Sequence, residues 1–112
     1  TLVIPKKLKK LIKFSKLNKE EIKYCFLHQA NKLINDTIEE KLEMKKTIFP
    51  TSLKNFGNTS SATIPITIAK EFGGKTISGK SLLSGFGVGL SAANMIYNFD
   101  KCRISKLIFL DE

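Results

Sequence analysis

Apolar positions along the 112-residue chain recur at two spacings, one helical and one extended. Ile4, Leu8, Leu11 and Ile12 return every third or fourth residue and predict a helix, with Pro5 suited to its first turn. Asn18 followed by Glu21 has the spacing of a short capping turn. Residues 22–27 (IKYCFL) read as a buried strand that ends at His28. The helical period resumes over 30–44, where Ile34, Ile38, Lys41 and Leu42 share a face, and 47–49 read as a short strand closed by Pro50. Residues 55–60 (NFGNTS) are turn chemistry. A further helix is expected over 61–72, on the face of Ala62, Ile66, Ala69 and Phe72, with Pro65 near its first turn and Gly73-Gly74 as its stop. Residues 81–86 predict a strand, 85–89 a tight glycine turn and 104–110 a last strand, while 90–97 fit either helix or strand.

Strands and helices in alternation define an α/β fold, here a single domain over 1–112 without internal repeat or linker. The length suffices for one modest core. The chain starts abruptly in a helix, as a piece of a longer chain would. Composition changes this picture little, with 42% apolar and 26% charged residues. The longest mostly apolar stretch, 82–96, is broken by Ser, Gly and Asn and is too short to cross a bilayer, so no membrane span is expected. Cys25 and Cys102 form neither a CxxC nor a metal spacing, and no signal peptide is recognisable. A reducing, cytoplasmic setting and no metal are the expectation.

The formal net charge of +9 raises a nucleic-acid reading. The lysines argue against it, because Lys6, Lys7, Lys9, Lys10, Lys13 and Lys16 follow one short helix as a solvated face would. Arg103 is the single arginine available for base reading, and no zinc or aromatic RNA-binding pattern appears. No nucleic-acid partner is expected, although a basic interaction module stays possible. The same basic surface would equally suit an acidic carrier protein or a phosphate-bearing cofactor.

Two glycine motifs suggest nucleotides. Residues 74–81 (GKTISGKS) match the phosphate-loop pattern, but the predicted order is helix then strand, the reverse of what places a helix N-terminus on phosphate. Gly87, Gly89 and Ala92, with Asp111 further on, match a dinucleotide fingerprint more loosely. That alternative, a dinucleotide-binding domain using the turn from Gly85 to Ala92, requires 90–97 to be helix. His28 is the one histidine; the His-Gln-Ala-Asn stretch puts an imidazole and two amides at a strand-to-helix switch, where α/β folds form sites. Cys25, three residues earlier on a strand, would face the opposite side. Asn58 precedes an apolar helix and reads equally as a cap or as a functional amide.

Three blocks together resemble the ketoacyl-ACP synthase III family: 26–31 (FLHQAN), 56–65 (FGNTSSATIP) and 82–91 (LLSGFGVGLS). The 30 positions between His28 and Asn58 are typical of that family's His–Asn pair. The resemblance runs over nearly the whole chain. It implies the C-terminal part of a thiolase fold, a mixed sheet with helices on its faces, within an acyltransferase that joins an acyl thioester to malonyl-ACP with loss of CO2. His28 and Asn58 would be catalytic, as donors to the malonyl-derived enolate. Asn31, Phe86, Gly87, Val88 and Gly89 would line the substrate site, with the Val88 N–H in a second oxyanion hole. Acyl-CoA and acyl carrier protein would be the partners, the full-length enzyme a homodimer, and no cofactor tightly bound. The family's nucleophilic cysteine matches neither Cys25 nor Cys102, so the chain alone would be inactive. A rim arginine usual in the family is replaced by Leu33, beside Lys32.

Overall fold

A computed structural model describes residues 3–87 and 91–110. Three strands form one mixed sheet in the order β1-β2-β3: β1 (Ile22–Leu27), β2 (Thr76–Gly87) and β3 (Ser91–Arg103). β1 runs parallel to β2, and β3 runs antiparallel to it, with Leu82 opposite Ile96 and Phe86 opposite Ala92. The described residues also form four α-helices: α1 (Val3–Phe14), α2 (Lys32–Leu42), the single turn α3 (Leu53–Phe56) and α4 (Thr63–Phe72).

Each sheet face buries its own core. On one side Ile4, Leu8 and Ile12 of α1 and Ile38 and Leu42 of α2 close over Cys25, Leu27 and Leu82. On the other, Ile64, Ile68 and Phe72 of α4 pack on Tyr24, Phe26, Ile77 and Phe99. Period-two alternation along β1 sends Cys25 and Leu27 to one layer and Tyr24 and Phe26 to the other. The capping turn forms as expected, with the Glu21 carboxylate accepting from the Asn18 N–H at 3.1 Å.

Several expectations need correction. Residues 47–49 make one parallel bridge, Ile48 to Tyr24, and not a strand. Residues 104–110 form no strand; Ile104 closes the α4 core, while Ile108, Phe109 and Leu110 are exposed. Lys41 is exposed and does not share the buried face of Ile38 and Leu42. α4 is a helix as its period predicts, but it turns Thr63 and Thr67 fully inward and leaves Ala62 and Pro65 outside. Hydroxyls could be buried there because each has a hydrogen-bond partner.

The question left open at 90–97 is answered by β3, which is antiparallel to β2 over Ser91–Tyr97. A strand there has no helix N-terminus to offer a pyrophosphate, so the dinucleotide alternative fails. The phosphate-loop match fails similarly. Its residues from Thr76 to Ser81 lie in β2, and most of them are paired in register with β1 or β3. The glycine turn expected at 85–89 begins with Gly85 and Gly87 still in β2; Val88 and Gly89 lie outside the described residues.

Candidate active site

His28 leaves the end of β1 with its backbone held on both sides. Its N–H donates to Ser84 O of β2 at 2.8 Å, and its carbonyl accepts from the Asn35 amide at 2.9 Å. The ring is half-buried, stands edge-on to Phe86 with centroids 5.3 Å apart, and pairs Nδ1 with Thr63 Oγ1 at 2.6 Å. Burial holds its pKa below the ordinary histidine value, favouring the neutral ring.

Asn58 arrives from a different direction. α3 ends at Gly57, whose φ of +63° and ψ of −154° suit glycine alone. That backbone reversal delivers Asn58 to the mouth of the cleft. Its Oδ1 accepts the Ser60 N–H at 2.9 Å, which assigns the carboxamide orientation and leaves Nδ2 as the outward donor. The Nδ2 atom lies 3.5 Å from Ala30 O, too far for a strong bond. Ser60 itself has a φ of +59°, uncommon for a residue with a side chain.

His28, Asn58, Ser60, Ser61, Thr63, Ile64, Gly85, Phe86 and Gly87 line one open cleft of about 650 Å³. Four of the expected site residues, His28, Asn58, Phe86 and Gly87, thus meet around one space. Asn31 does not line it. It caps α2, accepting the Ile34 N–H at 2.9 Å, and faces a neighbouring cleft of about 660 Å³ that shares Asn58. Sequence reading missed Thr63, whose hydroxyl meets the ring; a threonine on a helix gives no sign of a partner 35 residues away.

Cys25 is fully buried on the far side of β1, and burial pushes its thiol pKa well up, so it is no nucleophile for this cleft. Among the described residues, no cluster of three or more His, Cys, Asp or Glu side chains could hold a metal ion. Nor is any described helix long and apolar enough to cross a membrane.

A strand-end imidazole and a turn-borne carboxamide line one cleft of a mixed sheet with helices on its faces, and the chain has the fold of the C-terminal part of a thiolase-fold enzyme. The chain belongs to the 3-oxoacyl-[acyl-carrier-protein] synthase III family, matching its C-terminal domain over residues 12–99. It is 40% identical over 101 residues to the beta-ketoacyl-[acyl-carrier-protein] synthase III of Streptococcus agalactiae serotype III, covering 83% of this chain and 30% of that one. Identity is 38% over 97 residues to the same-named protein of Streptococcus pyogenes serotype M5. Among solved structures, a 3-oxoacyl-(acyl-carrier-protein) synthase III superposes over 86% of this chain and 29% of its own, with a TM-score of 0.74 and 29% identity. A 3-oxoacyl-(acyl-carrier-protein) synthase from Burkholderia xenovorans LB400 shares the fold at TM-score 0.81 and 24% identity, over 93% of this chain and 31% of its own. The chain spans about 30% of the length of the curated relatives it matches.

Proposed function

We propose that this chain is the carbanion-forming part of a synthase III-type acyltransferase, in which His28 and Asn58 stabilise the enolate formed when a malonyl thioester loses CO2. The observation that carries this reading is the meeting of the two side chains in one cleft, each with its other polar atom already bonded elsewhere. The malonyl C–C bond breaks, CO2 leaves, and its electron pair moves onto the thioester oxygen. Two neutral N–H donors, from the ring and from Asn58 Nδ2, offset that charge without taking a proton. The enolate carbon then attacks the acyl-cysteine carbonyl and expels the thiolate, giving the ketoacyl product. That cysteine is supplied from outside this chain, so the chain alone does not catalyse condensation. Phe86 and Gly87 would border the acyl site, with the Val88 and Gly89 backbone beside them and Asn31 on the approach for the carrier.

Acyl-CoA and malonyl-loaded acyl carrier protein are the substrates in this reading, with no tightly bound cofactor. The full-length enzyme works as a homodimer in the cytoplasm, and neither nucleic acid nor membrane takes part. With Leu33 and Lys32 at the rim, Lys32 is the cation placed for an acidic carrier, although it pairs with Asp36 at 2.5 Å.

The test uses a full-length protein that contains this segment. His28→Ala is expected to lower malonyl decarboxylation by about 10²–10³-fold, the usual cost of one oxyanion donor, while cysteine acylation by acyl-CoA continues. Asn58→Ala should behave alike. Loss of acylation with normal decarboxylation would overturn the assignment.

A further inference from the structure

We infer that Thr63 is a positioning residue for His28, donating its hydroxyl hydrogen to Nδ1 and so holding the ring in the tautomer that carries its proton on Nε2, toward the cleft. The functional meaning rests on the donor role of His28 proposed above; the hydrogen-bond assignment does not.

Thr63 is 1% exposed, and its Oγ1 lies 2.6 Å from Nδ1. One hydrogen sits between these atoms, from either the hydroxyl or the ring. If Nδ1–H were the donor, the threonine hydroxyl hydrogen would need another acceptor. Among the described residues Oγ1 has no other hydrogen-bond partner, and a buried donor left unpaired is unfavourable.

The neighbouring hydroxyls bond to partners other than Thr63 Oγ1. Thr67 Oγ1 donates to Thr63 O at 2.7 Å, so it must accept from Ser52 Oγ at 2.8 Å. The Ser52 N–H and the Thr51 hydroxyl both donate to Gln29 Oε1, and Gln29 Nε2 donates to Leu27 O. The Thr67, Ser52 and Thr51 hydroxyls and Gln29 Nε2 each have an acceptor, whereas the buried Thr59 and Ser81 hydroxyls have none among the described residues. The first turn of α4 sets the position of Oγ1, and Phe86 against the ring edge restricts its rotation. Burial shifts the ring toward its neutral form, the condition under which a tautomer exists at all.

Because His28 is the only histidine, ¹⁵N-labelled histidine yields a single pair of ring nitrogens. Above the ring's pKa, the spectrum of this chain is expected to show the proton on Nε2 and an Nδ1 resonance displaced to the hydrogen-bonded acceptor position. Thr63→Ser should keep that displacement, and Thr63→Val should lose it while the amide spectrum stays folded. A proton found on Nδ1 in the wild type overturns the inference without needing any variant. So does an Nδ1 resonance that Thr63→Val leaves in place. In the full-length protein Thr63→Val should lower decarboxylation with little change in KM, and Thr63→Ser should restore it. Normal decarboxylation in Thr63→Val with His28→Ala inactive removes the role of Thr63 and leaves the proposed function standing. If His28→Ala decarboxylates normally, the proposed function fails while the spectra still decide the hydrogen bond.

Discussion

The His28 ring is partly desolvated in the folded chain and fully hydrated in the unfolded one, so its pKa is lower when folded. The unfolded state therefore binds more protons between the two values, and stability rises with pH there. The stability of the neutral ring is present above the unfolded value of about 6.5 and is lost as pH falls toward the folded pKa. With no other histidine in the chain, denaturant midpoints measured downward from about pH 7 should show this slope, and His28→Gln should flatten it. Gly57 makes a second prediction. A Cβ there meets no atom within 4 Å, but the φ of +63° with extended ψ is strained for any L side chain. Gly57→Ala should destabilise the fold by about 1–3 kcal/mol in urea unfolding, or move the Asn58 turn to relieve the strain. Asn58 was legible as an Asn in turn chemistry before a helix. What its amide oxygen does was not, because the Ser60 N–H partner exists only once the turn closes.

At the scale of elements, α1 is the clearest case of legibility. Its spacing named Ile4, Leu8, Leu11 and Ile12, of which Ile4, Leu8 and Ile12 are buried and Leu11 is half-buried. Leu8→Ala should cost about 2–5 kcal/mol, while Phe14→Ala, at a residue 87% exposed, should change the midpoint by no more than about 0.5 kcal/mol. α4 is the opposite case. Its periodicity marked a helix and the face of Ala62, Ile66, Ala69 and Phe72, but the core takes Ile64, Ile68 and Phe72 instead. Thr63 and Thr67 are buried with them, where His28 and Ser52 supply their hydroxyls with partners. The strand at 91–97 was ambiguous for a related reason. Small and mixed residues there fit either period, and pairing with β2 chose between them. The two thiols belong to the cores on opposite faces of the sheet. A thiol reagent should modify half-buried Cys102 in the native chain and reach Cys25 only after denaturation.

At the scale of the molecule, charge is the unbalanced quantity. Seven lysines precede Glu20, the first acidic residue, and the formal net charge is +9. The ion pairs among the described residues, Lys32–Asp36, Lys70–Glu71 and Lys80–Glu21, are at least partly exposed and offset little of that repulsion. Added salt screens it, since the Debye length shortens from ~30 Å at 0.01 M to ~8 Å at 0.15 M. The thermal midpoint should therefore rise over that range of sodium chloride, and a flat or falling midpoint would contradict repulsion as the dominant surface term. The sequence by itself determined the α/β class, the end of β1 at His28, the helix that α1 forms and the family, because each depends on local period or on residues close along the chain. Only the tertiary structure decided that His28, Asn58, Phe86 and Gly87 face one cleft, that Asn31 and Asn58 share a second, and that Thr63 reaches the histidine. Those relations join elements tens of residues apart, and no local pattern encodes which face of a strand or helix will meet another until the sheet has paired and both its faces are covered.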